Sequence, residues 1–251
     1  MAFPVDIREE AGVRYLHFGS EWIQGAMRLA RPWSLELDYT RVMMASLLLR
    51  PQAGWPRRAL LVGLGAASLA KFLYRHRPRA RLTVVEIEPR VVATAQQFFR
   101  LPHDPPRLRI EIGDAAAWLA ASREDFDLIL IDGFDAAASA GALDSLPFYR
   151  DCRAHLRGDG LVAANLLGRS RLVRASVARL GKAFDQRALA FPACDHGNVI
   201  AFAAVGEAIR VPVGELGLRA VALRKASGLN LLPTVARLAA SASCPGGMLS
   251  L

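Results

Sequence analysis

Three stretches of this 251-residue chain carry the residue types from which a small-molecule site is built. Gly63-Leu64-Gly65 follows an apolar run at residues 59–62. Glycines after a strand allow a tight turn and close backbone approach, and a helix that follows offers free N–H groups. Glu86 ends the next apolar run, where an acid can accept hydrogen bonds from both hydroxyls of a ribose. Either feature alone fits a plain turn with a solvated glutamate; together they predict an adenosine-type ligand. Asp114, in Gly113-Asp114-Ala115, follows the next run. It can accept from an adenine amino group while the backbone at Ala115 meets the ring, and it can equally cap the helix that starts there. A dinucleotide site would want a third Gly or Ala where Ser68 stands, so a single adenosine across three strand ends is the expectation.

The second chemical feature is Asp132-Gly133-Phe134-Asp135, after the run Leu128-Ile129-Leu130-Ile131. A carboxylate at the end of so apolar a strand is costly unless something compensates it. Asp132 and Asp135 could both turn toward one cationic amine, one orienting it and one taking its proton. An alkylamine has a pKa of about 10 and must lose that proton before it can attack. The plainer reading has Asp132 shaping the loop and Asp135 solvated. A sulfonium donor suits this site: attack on the carbon beside sulfur expels a neutral thioether, so alignment and one proton transfer carry the rate.

These residues need a scaffold that brings successive strand ends together. The chain supplies an alternation of solid apolar strands and amphipathic helices: strands near 59–62, 82–87, 108–112, 127–131 and 161–165, helices near 67–76, 89–99, 115–121 and 146–155. That pattern means a parallel sheet covered on both faces, an α/β fold. A helix at 171–184 and a closing pair of strands at 186–190 and 198–205 follow, then helices at 215–225 and 231–240. Residues 1–37 read as a small β region and 35–49 as one helix. The expected division is a β region over 1–37, a nucleoside-binding catalytic domain over 38–240 and a loose tail over 241–251.

Composition narrows the function. Hydrophobic residues make up 53% of the chain, enough for a sizeable core. No apolar run approaches the roughly 20 residues of a membrane helix. The start, MAFPVDIREEAG, lacks the apolar core of a secretory signal. Cys152, Cys194 and Cys244 stand far apart and the five histidines lack metal spacing, so neither a metal nor a disulfide framework is expected, which fits a reducing cytoplasm. His196 is a candidate cleft residue or a turn residue. Net charge is +9, yet the only lysines are Lys71, Lys182 and Lys225 and the arginines are spread along the chain. Without aromatic-interleaved basic motifs, no nucleic-acid partner is expected.

The motifs VGLGAAS, VVEIEP, GDAAAWL, LILIDGFD, FYRDCRAHLRGDGLVAANL and FPACDHGNVIAFAAVG, in this order and spacing, resemble the spermidine synthase family of polyamine aminopropyltransferases. That family has a class I S-adenosylmethionine-dependent transferase fold, a Rossmann-like sheet preceded by a small N-terminal β region. The resemblance implies decarboxylated S-adenosylmethionine as donor, a polyamine as acceptor, no metal, and a homodimer. It implies that Glu86 holds the ribose, Asp114 the adenine amino group, Asp132 serves as general base and Asp135 helps bind the amine. Gln24 and Tyr39 fall where the family has a glutamine and a tyrosine near donor and acceptor. Three motifs depart, one of them D-S-x-D-P, which becomes Asp132-Gly133-Phe134-Asp135-Ala136. Ala66 replaces the loop acid that in the family meets the donor's amine, and the family's Y-H-E becomes Tyr39-Thr40-Arg41. A methyltransferase using intact S-adenosylmethionine and a non-catalytic nucleoside-binding protein therefore stand beside the main expectation.

Overall fold

Strand composition dictates the centre of the molecule. A computed structural model describes residues 4–19, 21–135, 139–168, 170–194 and 197–251; His196 and the alanines at 136–138 lie outside the described residues. β1 (Asp6–Glu10), β2 (Val13–His17) and β3 (Ile23–Arg28) form an antiparallel meander. Then come α1 (Asp38–Met43) and α2 (Ser46–Leu49), followed by the regular alternation. It runs β4 (Arg58–Val62), α3 (Ser68–His76), β5 (Arg81–Glu86), α4 (Pro89–Phe98), β6 (Leu108–Ile112), α5 (Ala115–Ala121) and β7 (Phe126–Ile131). It continues with α6 (Leu146–Ala154), β8 (Leu156–Leu166), α7 (Ser170–Ala183), β9 (Ala188–Ala190) and β10 (Val199–Ala204). β11 (Arg210–Pro212), α8 (Val213–Ser227), α9 (Leu232–Ala239) and β12 (Met248–Ser250) close the chain.

Among the described residues one 7-stranded sheet has the order β6-β5-β4-β7-β8-β10-β9. β6, β5, β4, β7 and β8 run parallel. β10 runs antiparallel to β8 and to β9. Alternate residues of each strand feed opposite cores. Ala59 and Leu61 of β4 join Leu82, Val84, Leu128 and Phe202 beneath α3 and α8, while Leu60 and Val62 join Val85, Ile129 and Ile131 beneath α5 and α6. This is the expected α/β, Rossmann-like sheet. The antiparallel β10, inserted between β8 and the edge strand, distinguishes it from the wholly parallel dinucleotide-binding order. Strand order reverses at β4, whose neighbours β5 and β7 are reached by crossovers in opposite directions, and the crevice beyond the carboxyl end of such a strand is where ligands bind.

Two expectations need correction. The single helix at 35–49 is two short ones. Val42 to Ala45 and Leu47 to Leu49 are all buried, so this stretch needs cover on every side rather than along one stripe. Bonds of the i→i−3 type, from Met44 N–H to the Arg41 carbonyl (3.0 Å) and Ala45 N–H to the Val42 carbonyl (2.9 Å), tighten the chain and redirect it. The tail at 241–251 is also not loose: β12 pairs with β11, and Cys244, Leu249 and Leu251 are buried. Gly/Pro composition masked an alternation, Leu249 and Leu251 inward with Ser250 outward, that is the mark of a half-buried strand.

Candidate active site

The loop between β4 and α3 is shaped by its glycines and by what lies against it. Gly63 has φ +90°, and a Cβ there would lie 2.3 Å from the Asp132 carbonyl oxygen, so the ends of β4 and β7 close up only because the side chain is absent. From the other side, a Cβ on Gly25 of β3 would lie 2.5 Å from Cβ of Ala66. The N-terminal meander therefore rests directly on the loop, and Ala66 is packed beneath it at 2% exposure.

Above this loop opens a cavity of about 810 Å³. Gly63, Gly65, Glu86, Asp114, Ala115, Asp132, Asp135, Gln24 and Tyr39 all line it, so the fold brings these nine candidates to one place. Glu86 stands at the end of β5, buried. Its Oε2 accepts from Leu64 N–H (2.8 Å) and its Oε1 from Glu88 N–H (3.0 Å). Burial raises its pKa, and backbone donors at Glu88, Leu64 and Ile87 oppose the rise. Asp114 is exposed, and its Oδ1 accepts from Ala117 N–H (2.8 Å), capping α5. Gln24 sits on β3, with its backbone carbonyl beside Gly65.

The two aspartates after β7 differ. Asp132 is held by side chains from two other elements: Oδ2 accepts from the Tyr39 hydroxyl of α1 (3.2 Å), and Oδ1 from Nδ2 of Asn165 on β8 (2.9 Å). Burial raises its pKa against the pull of those two donors. The Tyr39 hydroxyl is pushed well above its usual value by burial and by the adjacent carboxylate, so it stays a proton donor. Asp135 lies at the exposed rim, where its Oδ1 accepts from Ser139 N–H (2.8 Å).

Two residues escaped the sequence reading. Asn165 is 4% exposed, lines the cavity and bonds Asp132. It had a signal, because it too is a polar residue ending an apolar run. Asn198 lines the cavity and donates through Nδ2 to Asn165 Oδ1 (2.9 Å); nothing local in the sequence marks it.

Charge is sharply segregated. Glu21, Asp38, Glu86, Glu88, Asp114, Asp132 and Asp135 line the cavity, and among its described lining residues there is no Lys, Arg or His. Arginines outside the lining pair three of these acids, Arg237 with Asp38 (2.9 Å), Arg8 with Glu21 (3.2 Å) and Arg90 with Glu88 (2.7 Å). A chain of net charge +9 has thus built an acidic interior. No described group of His, Cys, Asp and Glu has the arrangement of a metal site.

Comparison with known proteins bears on this arrangement. Residues 37–188 match the family model described as "Spermine/spermidine synthase domain". A polyamine aminopropyltransferase of Neisseria meningitidis is 36% identical over 240 residues, covering 95% of this chain and 90% of its own. A probable spermidine synthase of Corynebacterium glutamicum shares the fold, with TM-score 0.73 at 20% identity, covering 90% of this chain and 91% of its own. Human methyltransferase-like protein 13, solved with SAH, shares it at TM-score 0.67 and 24% identity, covering 76% of this chain and 92% of its own. The fold alone therefore spans aminopropyl and methyl transfer, and the sequence relationship decides between them: the chain belongs to the spermine/spermidine synthase family.

Proposed function

We propose that this protein transfers the aminopropyl group of decarboxylated S-adenosylmethionine to a polyamine, and that the acid-lined, base-free cavity is what fits it for that substrate pair. Both substrates are cations, and a low-dielectric cleft strengthens their attraction to carboxylates. The intact donor carries a carboxylate as well, and the described lining residues offer it no cationic side chain. That favours the decarboxylated form over the methyltransferase reading, although the place of the family's loop acid is taken by Ala66, packed against β3 rather than lining the cavity.

In this reading Glu86 receives the ribose hydroxyls, Asp114 the adenine amino group while still capping α5, and the backbone at Gly63, Gly65 and Ala115 lies against the nucleoside. Gln24 contacts the donor from β3. When bound, the donor supplies a carbon activated by its sulfonium, with a neutral thioether as leaving group. The protein's own share is alignment and one proton transfer. Asp135 and Tyr39 orient the acceptor amine and Asp132 takes its proton. Burial of Asp132 strengthens it as a base, and the bonds from Tyr39 and Asn165 limit that rise. A homodimer and a cytoplasmic site of action belong to the proposal and rest on the family reading; no described helix is long and apolar enough to cross a membrane.

The test is methylthioadenosine release from the decarboxylated donor with putrescine, cadaverine or spermidine as acceptor, together with calorimetry of both donors. Turnover with at least one amine and tighter binding of the decarboxylated donor are expected. Binding without turnover on any amine, or a preference for the intact donor, would overturn the proposal.

A further inference from the structure

Asp132 is the last member of a hydrogen-bonded file that crosses the sheet. Asn165 on β8 stands opposite Ile200 of β10, so Asn198, just before β10, is its diagonal neighbour on the same face. Asn198 Nδ2 donates to Asn165 Oδ1 (2.9 Å), and Asn165 Nδ2 donates to Asp132 Oδ1 (2.9 Å). The direction of this file matters. A side-chain amide has a donor end and an acceptor end, and either can face a neighbour after a flip of the terminal group. An ionised carboxylate only accepts, so Asn165 stabilises it with its NH₂ end and repels it with its oxygen end.

We propose that Asn198 is a positioning residue: by occupying Asn165 Oδ1 with a donor, it fixes the NH₂ end of Asn165 on Asp132. Among the described residues the side-chain hydrogen bond of Asn198 goes to Asn165 and not to the carboxylate, so Asn198 acts on Asp132 through Asn165. The catalytic consequence rests on the reading of Asp132 as the base. Without Asn198's donor the Asn165 amide is free to turn its oxygen to Asp132, an arrangement that suits the protonated acid, and the base then becomes available only at higher pH. Among the described residues, the other groups placed about Asp132 and its loop are Tyr39 from α1, the uncharged Gly63 segment after β4, the Leu143 side chain against Gly133, and Asp135, whose carboxylate accepts from Ser139 N–H. Asp38 neighbours Tyr39 but is paired with Arg237. The described residues put no cation beside Asp132 that could substitute for the amide's NH₂ end.

Four variants of the full chain separate orientation from packing. Asn198→Leu keeps the volume and removes the donor. Asn198→Asp keeps the shape and presents an acceptor, which demands the reversed Asn165. Asn165→Leu, alone and combined with Asn198→Leu, removes the middle of the file and then the file altogether. The readout is the titration midpoint of Asp132, followed by the carboxyl resonance of ¹³C-labelled aspartate and assigned with Asp132→Asn; the acid limb of the kcat/KM profile accompanies it. Asn198→Leu is expected to raise the midpoint by roughly one pH unit, the size of one hydrogen bond to a charged group. Asn198→Asp should raise it further, and Asn198→Leu should add nothing in the Asn165→Leu background. An unmoved midpoint in both single variants, or equal shifts with and without Asn165, would overturn the proposal. The titration needs no turnover. A shifted midpoint in an enzyme that fails on every amine would therefore sink the aminopropyl reading and leave the relay standing.

Discussion

The two ends of the cavity are built by different means. At the nucleoside end, polar side chains are held by backbone. Glu86 accepts from the N–H groups of Leu64 and Glu88, and Asp114 from that of Ala117 two positions into its own helix. At the amine end Asp135, at the rim, also has a backbone donor in Ser139 N–H, but the inner carboxylate is held by side chains. Asp132 takes its partners from Tyr39, 93 residues away, and from Asn165, 33 residues away, which is itself held by Asn198. Backbone donors remain in place when a side chain changes. A file of side chains does not, so function at the amine end should depend far more steeply on single residues.

Asp132→Asn breaks this comparison most forcefully. The isosteric amide cannot accept the ammonium proton, and aminopropyl transfer is expected to fall by about 10²- to 10⁴-fold, the span of a lost general base. Donor affinity, measured by calorimetry, should stay within a few-fold of the parent. Equal losses in turnover and donor affinity would mean that the two ends are not separable.

Glu86→Ala tests the opposite end and should give the mirror pattern. It removes the ribose acceptor and leaves the Leu64 and Glu88 N–H groups without their carboxylate. Donor Kd should rise about 10- to 100-fold, the equivalent of roughly 1.5–3 kcal/mol for a charged hydrogen bond. The pH profile for the acceptor amine should keep its shape, because Asp132 and its partners are untouched.

The same contrast explains what the sequence revealed. The sheet, the loop at Gly63, Glu86 and Asp114 depend on local signals: apolar runs, glycine and acid at strand ends, a capping residue before a helix. Each could be seen within a few residues. Asp132 was visible for the same reason, as a carboxylate ending Leu128-Ile129-Leu130-Ile131. Asn165 and Asn198 were not singled out, and Tyr39 was placed only through the family resemblance, because which side chains meet Asp132 depends on β10 pairing antiparallel with β8 and on α1 reaching across from the N-terminal side. The break at Met44-Ala45 was hidden by a hydrophobic stretch whose helical spacing implied one face to bury when every face is buried. At 245–251 the Gly/Pro composition concealed a strand that exists only because β11 is there to pair with it.

Tyr39→Phe sharpens the comparison with a smaller effect. The hydroxyl hydrogen-bonds the ionised form of Asp132, so its loss raises the pKa of that carboxylate. The acid limb of the kcat/KM profile should move to higher pH by up to about one unit. On that limb, below the parental midpoint, turnover should fall by up to about 10-fold and recover as pH rises past the displaced limb. A rate loss that persists unchanged at high pH would leave Tyr39 with its amine-orienting role alone and no part in tuning the base.

The smallest effect is expected where one side chain has two duties. Asp114 caps α5 through its bond to Ala117 N–H and, in the proposed function, accepts from the adenine amino group. Asp114→Ser keeps a capping oxygen close to the backbone while withdrawing the carboxylate from the cavity; Asp114→Ala removes both. The serine variant should therefore keep the parental Tm and lose about 3- to 10-fold in donor affinity, the weight of one modest hydrogen bond. The alanine variant should add a loss of about 1 kcal/mol in stability, seen as a lower denaturant midpoint. If serine restores affinity as fully as it restores stability, Asp114 serves the helix alone. The adenine would then be held by backbone and apolar contact, making the nucleoside end still more a product of local chain geometry and widening its contrast with the side-chain file around Asp132.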